Sequence, residues 1–185
     1  MANHQEPYQE RNSGKKNDAE LYAMQYYKNR KINIIRAGFD IEHGTVPPKL
    51  WNNIPKYIRN LPDFIIMSDK GNFFLECKGG TSNVKFKISE LKSYGFWNDF
   101  IPVVMFVWSS TYGTIYRVKY INLMDLIEEQ NYEIGEYDNQ EKYHIIPMAD
   151  LTLKVPMDKA PKLEKEWKLA PNVKKKNLMQ NLLRW

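Results

Sequence analysis

Two apolar runs of strand length, separated by a short polar turn, constrain the fold of this chain more than any other feature. The first run is "DFIIM" (63–67), the second is "FFLECK" (73–78), and the turn "SDKGN" between them contains Gly71. Glycine readily adopts the positive φ that tight hairpin turns require. The pattern therefore predicts an antiparallel β-hairpin.

Two charged residues interrupt the second apolar run. Because side chains alternate along a strand, Glu76 and Lys78 share a face with Phe74 and are neighbours in space. Burying a carboxylate and an ammonium costs several kcal/mol per ion unless the charges are paired or bind a metal. Antiparallel pairing also brings Asp63, which follows Pro62 at the start of the first strand, alongside the end of the strand that carries Glu76. We interpret the three residues as a candidate catalytic site.

The candidate site offers oxygen ligands. The carboxylates of Asp63 and Glu76 and the backbone carbonyl of Cys77 are the hard donors that Mg²⁺ prefers. Phosphodiester hydrolysis needs a metal-activated water, charge that stabilises the transition state, and a group that orients or deprotonates the nucleophile. Lys78 is suited to that last role. The alternative interpretation is a surface ion pair between Glu76 and Lys78, worth less than about 1 kcal/mol.

The stretch "LPDFIIMSDKGNFFLECKGG" resembles the signature of PD-(D/E)XK nucleases, with Pro62-Asp63 as the PD and Glu76-Cys77-Lys78 as the (D/E)XK. The resemblance implies a restriction-endonuclease-like α/β core, a mixed β-sheet flanked by helices in the order αβββαβ. It implies Mg²⁺, as a single ion or a pair and with Mn²⁺ as an alternative, at Asp63, Glu76 and the Cys77 carbonyl. It also implies that Lys78 acts on the attacking water and that Glu20, on the first helix, joins the metal site. Within the family, the chain is similar to the Holliday-junction-resolving endonucleases of phages and archaea, which act in DNA recombination.

Periodicity along the rest of the chain agrees with that element order. It predicts helices over about 17–29, 87–96 and 122–130, and strands over 32–39, 102–108 and 114–121. The unbroken apolar run "PVVMFVW" (102–108) is typical of a strand covered on both faces, whereas "TIYRVKYI" (114–121) alternates like a strand nearer the edge. A polar stretch is predicted after Gly79 and Gly80.

The chain is predicted to have a disordered polar N-terminus (1–16), a nuclease domain (17–155) and a basic C-terminal extension (156–185). The extension has eight basic and three acidic residues. Its excess of five positive charges equals the net charge of +5 of the whole chain. Such charge favours a polyanion such as DNA, or serves only solubility. The candidate phosphate-binding residues are cationic and lie in the extension, in the long 40–61 connection, and at the start of the helix after the motif: Lys174, Lys175, Lys176, Lys49, Lys56, Arg59, Lys85 and Lys87.

Several classes of protein are disfavoured by the composition. No apolar run approaches the roughly 20 residues that cross a bilayer, and the first residues lack the apolar stretch of a signal peptide. Cys77 is the single cysteine, so a disulfide within the chain and a cysteine-based zinc site are excluded. We expect no membrane partner and a cytoplasmic location, which is the host cytoplasm if the chain is phage-encoded.

The sequence thus predicts a metal-dependent endodeoxyribonuclease that is selective for branched DNA. A homodimer is expected, because resolving a four-way junction requires two matched nicks and two-fold symmetry supplies two active centres. Two alternatives stay open: a restriction-type or repair endonuclease on the same core, and a non-catalytic DNA-binding relative.

Overall fold

The computed structural model describes residues 16–38 and 53–163 of the chain. The predicted N-terminal disorder, most of the 40–61 connection, and the larger part of the basic extension lie outside these residues. The helices are α1 (Lys16–Asn29), α2 (Lys56–Arg59), α3 (Ile88–Asn98) and α4 (Tyr120–Gln130), with a 3-10 helix at Met148–Leu153. The strands are β1 (Asn33–Arg36), β2 (Phe64–Ser68), β3 (Gly71–Gly80), β4 (Asn83–Lys87), β5 (Val103–Ser109), β6 (Thr114–Lys119), β7 (Ile134–Glu136), β8 (Lys142–Pro147) and β9 (Asp158–Lys159).

The central sheet of the described residues has six strands in the order β1-β2-β3-β5-β6-β9. β3 and β5 are parallel, and the other neighbouring pairs are antiparallel. Helix α3 supplies the crossover between the two parallel strands. The predicted mixed sheet flanked by helices is confirmed. The predicted order αβββαβ is interrupted twice, by α2 between β1 and β2 and by β4 between β3 and α3. β9, which opens the C-terminal extension, adds an edge strand to β6.

The predicted hairpin is formed by β2 and β3. Its register pairs Phe64 with Leu75 and Ser68 with Gly71. Gly71 has a φ of 120°, a conformation that strongly favours glycine. The Ser68 hydroxyl donates a hydrogen bond to the Gly71 carbonyl at 2.9 Å and closes the turn.

The two faces of β3 contact different layers of the protein. Leu75 and Cys77 are buried against α1, in a cluster that includes Tyr26 and Phe106. Phe74 belongs to the opposite cluster, which is packed under α3 and α4. Because side chains alternate, Glu76 and Lys78 project into the layer of α3. The rest of the α3 layer holds the apolar side chains Leu91, Tyr94, Val103, Met105, Val107, Val118, Leu123 and Leu126.

A second sheet, with three strands in the order β4-β8-β7, packs beside α3. The polar stretch predicted after Gly80 was wrong in part, because β4 lies there. β4 alternates, with Val84 and Phe86 buried and Lys85 exposed. Its partner strand is remote in sequence: Val84 pairs with Ile146. None of the helices in the described part of the chain is long and apolar enough to cross a membrane.

Candidate active site

The β2–β3 hairpin places Asp63 beside the backbone of β3. Backbone pairing between the strands ends at Phe64 and Leu75. Beyond that point, the Cys77 N–H donates a hydrogen bond to Asp63 Oδ2 at 2.7 Å. The Asp63 carbonyl accepts hydrogen bonds from the N–H groups of Ala37 and Gly38 at 2.9 and 3.2 Å, which anchors the backbone of Asp63. The carboxylate of Asp63 is therefore held at the position where strand pairing stops.

Glu76 and Lys78 form an ion pair on β3, with 2.7 Å between Glu76 Oε1 and Lys78 Nζ. Their side chains are 7% and 13% exposed, so the pair is shielded from solvent. The predicted juxtaposition of Asp63, Glu76 and Lys78 is thus present in the structure. The burial also distinguishes the pair from an ordinary surface ion pair, because removing these charges from water carries a real desolvation cost.

Helix α3 contributes two polar side chains that the sequence analysis did not assign to the site. Glu90 Oε2 lies 2.7 Å from Lys78 Nζ, so the ammonium contacts two carboxylates. The phenol of Tyr94, one turn further along α3, lies close enough to Glu76 for that carboxylate to raise the pKa of the phenol. Glu90 and Tyr94 are separated by four residues, which places both on the helix face toward β3. In the sequence, this four-residue spacing on a helix that follows the charged strand could have identified Glu90 and Tyr94 as site residues.

The neighbouring carboxylates perturb the pKa of Asp63. Burial, together with the negative charges of Glu76 and Glu20, raises the pKa of Asp63 well above its usual value. Lys78 and the Cys77 N–H oppose that rise but do not cancel it. The charge of Glu76 therefore disfavours ionisation of the neighbouring Asp63 carboxyl.

The same environment raises the pKa values of the Lys78 ammonium and the Tyr94 phenol. Burial alone would favour the neutral amine of Lys78, but the carboxylates of Glu76 and Glu90 outweigh it and raise the pKa of Lys78 well above its usual value. Burial and the charges of Glu76 and Glu90 also raise the pKa of Tyr94 well above its usual value. At neutral pH the site thus contains a cationic Lys78 and a neutral Tyr94.

The donor atoms at this site are of the kind that bind Mg²⁺. Among the described residues, no three His, Cys, Asp or Glu side chains lie together as a complete ligand set. The Cys77 carbonyl is a candidate third donor, because the N–H and C=O of one residue point to the same side of a strand and the Cys77 N–H points to Asp63. Two carboxylates and a carbonyl fit a hard cation that keeps several waters.

Glu20 lies close to this centre, on α1. Its charge contributes to the raised pKa of Asp63, and its carboxylate forms an ion pair with Arg36 of β1. Arg36 also lies over the Phe64 ring, with 4.9 Å between the guanidinium carbon and the ring centroid. Glu20 is therefore near Asp63 but is held by a cation of its own.

Ion pairs continue outward from Glu90. Lys87 Nζ lies 3.3 Å from Glu90 Oε1 and 3.1 Å from Glu141 Oε2. Glu141, just before β8, also accepts a hydrogen bond from the Ser89 hydroxyl. Burial alone would raise the pKa of Glu141, but the bonds from Ser89 and Lys87 outweigh it and lower the pKa. The charged groups therefore connect β3, α3 and the second sheet.

The other candidate DNA-binding residues lie at varied distances from this network. Lys87 belongs to it, whereas Lys85, on the same face of β4, donates a hydrogen bond to the Tyr143 hydroxyl at 3.1 Å. Lys56 and Arg59 lie on α2, and Lys56 is exposed. The remaining candidates fall outside the described residues: Lys49, Lys174, Lys175 and Lys176.

Comparison with known proteins gives little guidance on function. No known protein family and no curated protein matches this chain by sequence. A nuclease from a fusselovirus is similar in structure, with a TM-score of 0.42 and 8% sequence identity over 72% of this chain and 79% of that chain. This similarity is too low to assign the chain to a family, so we infer its function from the site residues alone.

Proposed function

We propose that this chain is a metal-dependent endodeoxyribonuclease of the PD-(D/E)XK type. The observation that carries the proposal is the convergence of Asp63, Glu76 and Lys78 at the point where β2 and β3 stop pairing. A buried ion pair of this kind is a poor device for stability, since an apolar pair of similar volume is often equally stable or more so. Perturbed titratable groups held together at such a cost are typical of catalytic sites.

Asp63, Glu76 and the Cys77 carbonyl would hold Mg²⁺, or Mn²⁺ in its place, with Glu20 as a further ligand if it exchanges Arg36 for the metal. The bound ion would lower the pKa of the attacking water and neutralise charge on the scissile phosphate. The protein's own contribution is positional: the Cys77 N–H orients Asp63, and Lys78 orients Glu76.

Lys78 acts as a cation in this proposal. Its two ion pairs, with Glu76 and Glu90, hold the ammonium in one position on the face of β3. An ammonium held in this way orients the attacking water and stabilises the charge that builds up on the phosphate oxygens in the transition state. Glu90 is a positioning residue, because it acts through Lys78.

The substrate and the assembly complete the proposal. We propose branched DNA as the preferred substrate and a symmetric homodimer as the active form, since paired nicks in opposed strands require two active centres. Lys49, Lys56, Arg59 and Lys85 are proposed to contact phosphates, as are Lys87 and the basic residues Lys174, Lys175 and Lys176. A cytoplasmic location fits a nuclease of this kind.

The experiment that tests the proposal is cleavage of a DNA panel with and without Mg²⁺. The panel contains four-way junctions, flaps, nicked duplex, single strands and linear duplex, and the mass of the protein in solution is measured in parallel. We expect Mg²⁺-dependent cleavage, highest on the junction, by a dimer. A sequence-defined preference for linear duplex would favour a restriction-type or repair enzyme, and DNA binding without cleavage would favour a non-catalytic relative.

A further inference from the structure

A cavity of about 830 Å³ lies on the opposite side of α3 from the Glu76–Lys78 pair. It is bounded by α2, by the first turns of α3, and by the residues that lead into β8. Its size is within the range of small-ligand sites. Two hydrogen bonds fix the wall: Trp97 Nε1 donates to the Tyr57 carbonyl at 2.9 Å, and Asn60 Nδ2 donates to Ser93 Oγ at 3.1 Å. These bonds hold the α2 region against α3, so the wall of the cavity is fixed by contacts between the two elements.

Aromatic rings form the apolar part of this cavity. Tyr57 and Phe96 line it, and each is 42% exposed although large apolar side chains are usually buried. Their ring centroids are 4.9 Å apart. Phe100, which is 69% exposed, extends the aromatic surface from Phe96 with a centroid distance of 5.3 Å. The ring planes are tilted by 46° and 59° to each other, so a flat ring system can stack on the face of one ring and pack against its neighbour.

Cations form the polar part of the cavity. Lys56, Lys92 and Lys142 line it and are exposed. Glu141 is the one acidic residue among the described residues that line it, and its carboxylate is engaged by Lys87 and Ser89. The cavity thus combines positive charge with open aromatic faces, the combination by which proteins bind single-stranded nucleic acid.

The cavity is connected to the candidate active site through α3. Ser89 and Glu141 line the cavity and contact each other, and Glu141 is joined through Lys87 to Glu90, which contacts Lys78. A DNA strand with one phosphate at Lys78 could therefore present a nearby nucleotide to the cavity across a single helix.

We propose that this cavity binds an unpaired nucleotide of the DNA substrate, with its base on Tyr57 and Phe96 and neighbouring phosphates at Lys56, Lys92 and Lys142. The inference rests on the proposed nuclease function and specifies its substrate as DNA that has unpaired bases beside the cleavage site. Bases inside a continuous duplex are stacked on each other and cannot offer their faces to the rings. The cavity therefore selects single strands, flaps and opened junctions over intact duplex.

The test compares single-stranded and duplex binding in a Glu76→Gln background, which prevents cleavage. The probes are a fluorescein-labelled oligothymidylate and a blunt duplex, and binding is measured by fluorescence anisotropy. We expect Tyr57→Ala to weaken single-strand binding about tenfold, because stacking on one ring is lost, and to leave duplex binding within about twofold. Tyr112→Ala, at an exposed aromatic position in the β5–β6 turn, is the matched control and should change neither.

A second variant tests the charge. Lys92→Gln with Lys142→Gln should reduce the salt dependence of single-strand binding by a slope of roughly 1.4, about 0.7 for each lost phosphate contact. Tyr57 and both lysines are exposed, so circular dichroism should be unchanged in all variants. Unchanged single-strand binding in both variants, or equal losses on both probes, would overturn the inference.

Failure of the proposed nucleotide binding in the cavity can be distinguished from failure of the proposed nuclease activity. Suppose that the unmodified chain cleaves DNA in a Mg²⁺-dependent way and that Tyr57→Ala does not alter single-strand affinity. This result would overturn nucleotide binding by the cavity and would leave the proposed nuclease activity standing. Failure of the unmodified chain to cleave any DNA, with no binding of either probe, would overturn both.

Discussion

Two ion pairs on neighbouring parts of the central sheet differ in their surroundings. Glu76 and Lys78 are 2.7 Å apart with side chains 7% and 13% exposed, whereas Arg117 and Asp158 are 3.5 Å apart with side chains 42% and 39% exposed. The exposed pair links β6 to the edge strand β9 and costs little to form, because water still solvates both charges. The buried pair requires a further partner, which Glu90 supplies. This difference supports the proposal that the buried pair serves chemistry and not stability.

The largest expected effect is on turnover. Glu76→Gln preserves the size of the side chain and removes the charge needed at the metal site. We expect cleavage under single-turnover conditions to fall about a thousandfold, the scale of a lost group that stabilises transition-state charge. Asp158→Asn, the matching change in the exposed pair, should leave the rate within about twofold. Comparable rates for the two variants would show that the buried pair has no catalytic role.

The next effect is on stability. Lys78→Met removes the ammonium and leaves Glu76 as a buried carboxylate without its cation, whereas Glu90 keeps its ion pair with Lys87. We expect a loss of about 3–5 kcal/mol in the free energy of unfolding, measured by urea denaturation. Arg117→Met should cost less than about 1 kcal/mol. If the two variants lost equal stability, the distinction between buried and exposed pairs would not hold.

A smaller effect is expected from the second partner of Lys78. Glu90→Gln removes one of the two carboxylates that hold the ammonium, and we expect turnover to fall by about 10- to 100-fold, as for other residues that orient a site ligand. Because Glu90 acts by positioning, Mg²⁺ affinity should be nearly unchanged, as measured by competition with Mn²⁺. A large loss of metal affinity would instead make Glu90 a ligand.

The smallest effect concerns the outer end of the network. Because the pKa of Glu141 is lowered in the folded protein, its ionised form contributes stability above its usual pKa of 4.5, and that contribution is lost as the pH falls through the lowered pKa. Glu141→Gln should therefore cost about 1 kcal/mol at pH 7 and nothing in strong acid, by urea denaturation at each pH. The control is Glu128→Gln, at an exposed position on α4. A loss of stability that is independent of pH would contradict the assignment of this contribution to the ionised carboxylate of Glu141.

Local pattern was enough to predict the hairpin and the faces of its side chains. Strand alternation placed Glu76 and Lys78 together, and antiparallel pairing brought Asp63 alongside, because both features follow from the regular geometry of a single hairpin. The apolar run that became β5 was long enough to be recognised as a covered strand. The mixed sheet flanked by helices followed from the order of these elements.

The partners contributed by other elements could not be predicted in the same way. Glu90 and Tyr94 meet β3 because of how α3 is rotated against the sheet, which core packing determines. β4 is a short strand whose partner, β8, lies about sixty residues further along the chain. Glu20 pairs with Arg36 because β1 returns beside α1. The β4–β8 pairing depends on contacts that are distant in sequence, and the contacts of Glu90, Tyr94 and Glu20 depend on how a helix packs against the sheet, which local pattern encodes weakly.

Metal binding by Asp63 and Glu76 is the central claim, and it is tested most directly without any DNA. Mn²⁺ binding is measured by electron paramagnetic resonance, with Mg²⁺ as the competitor, for the unmodified chain and for the Asp63→Asn, Glu76→Gln and Asp158→Asn variants. We predict that the unmodified chain and Asp158→Asn bind Mn²⁺ equally and release it to Mg²⁺, whereas Asp63→Asn and Glu76→Gln lose most of their affinity. Equal binding by all four proteins, or no binding by the unmodified chain, would contradict the claim.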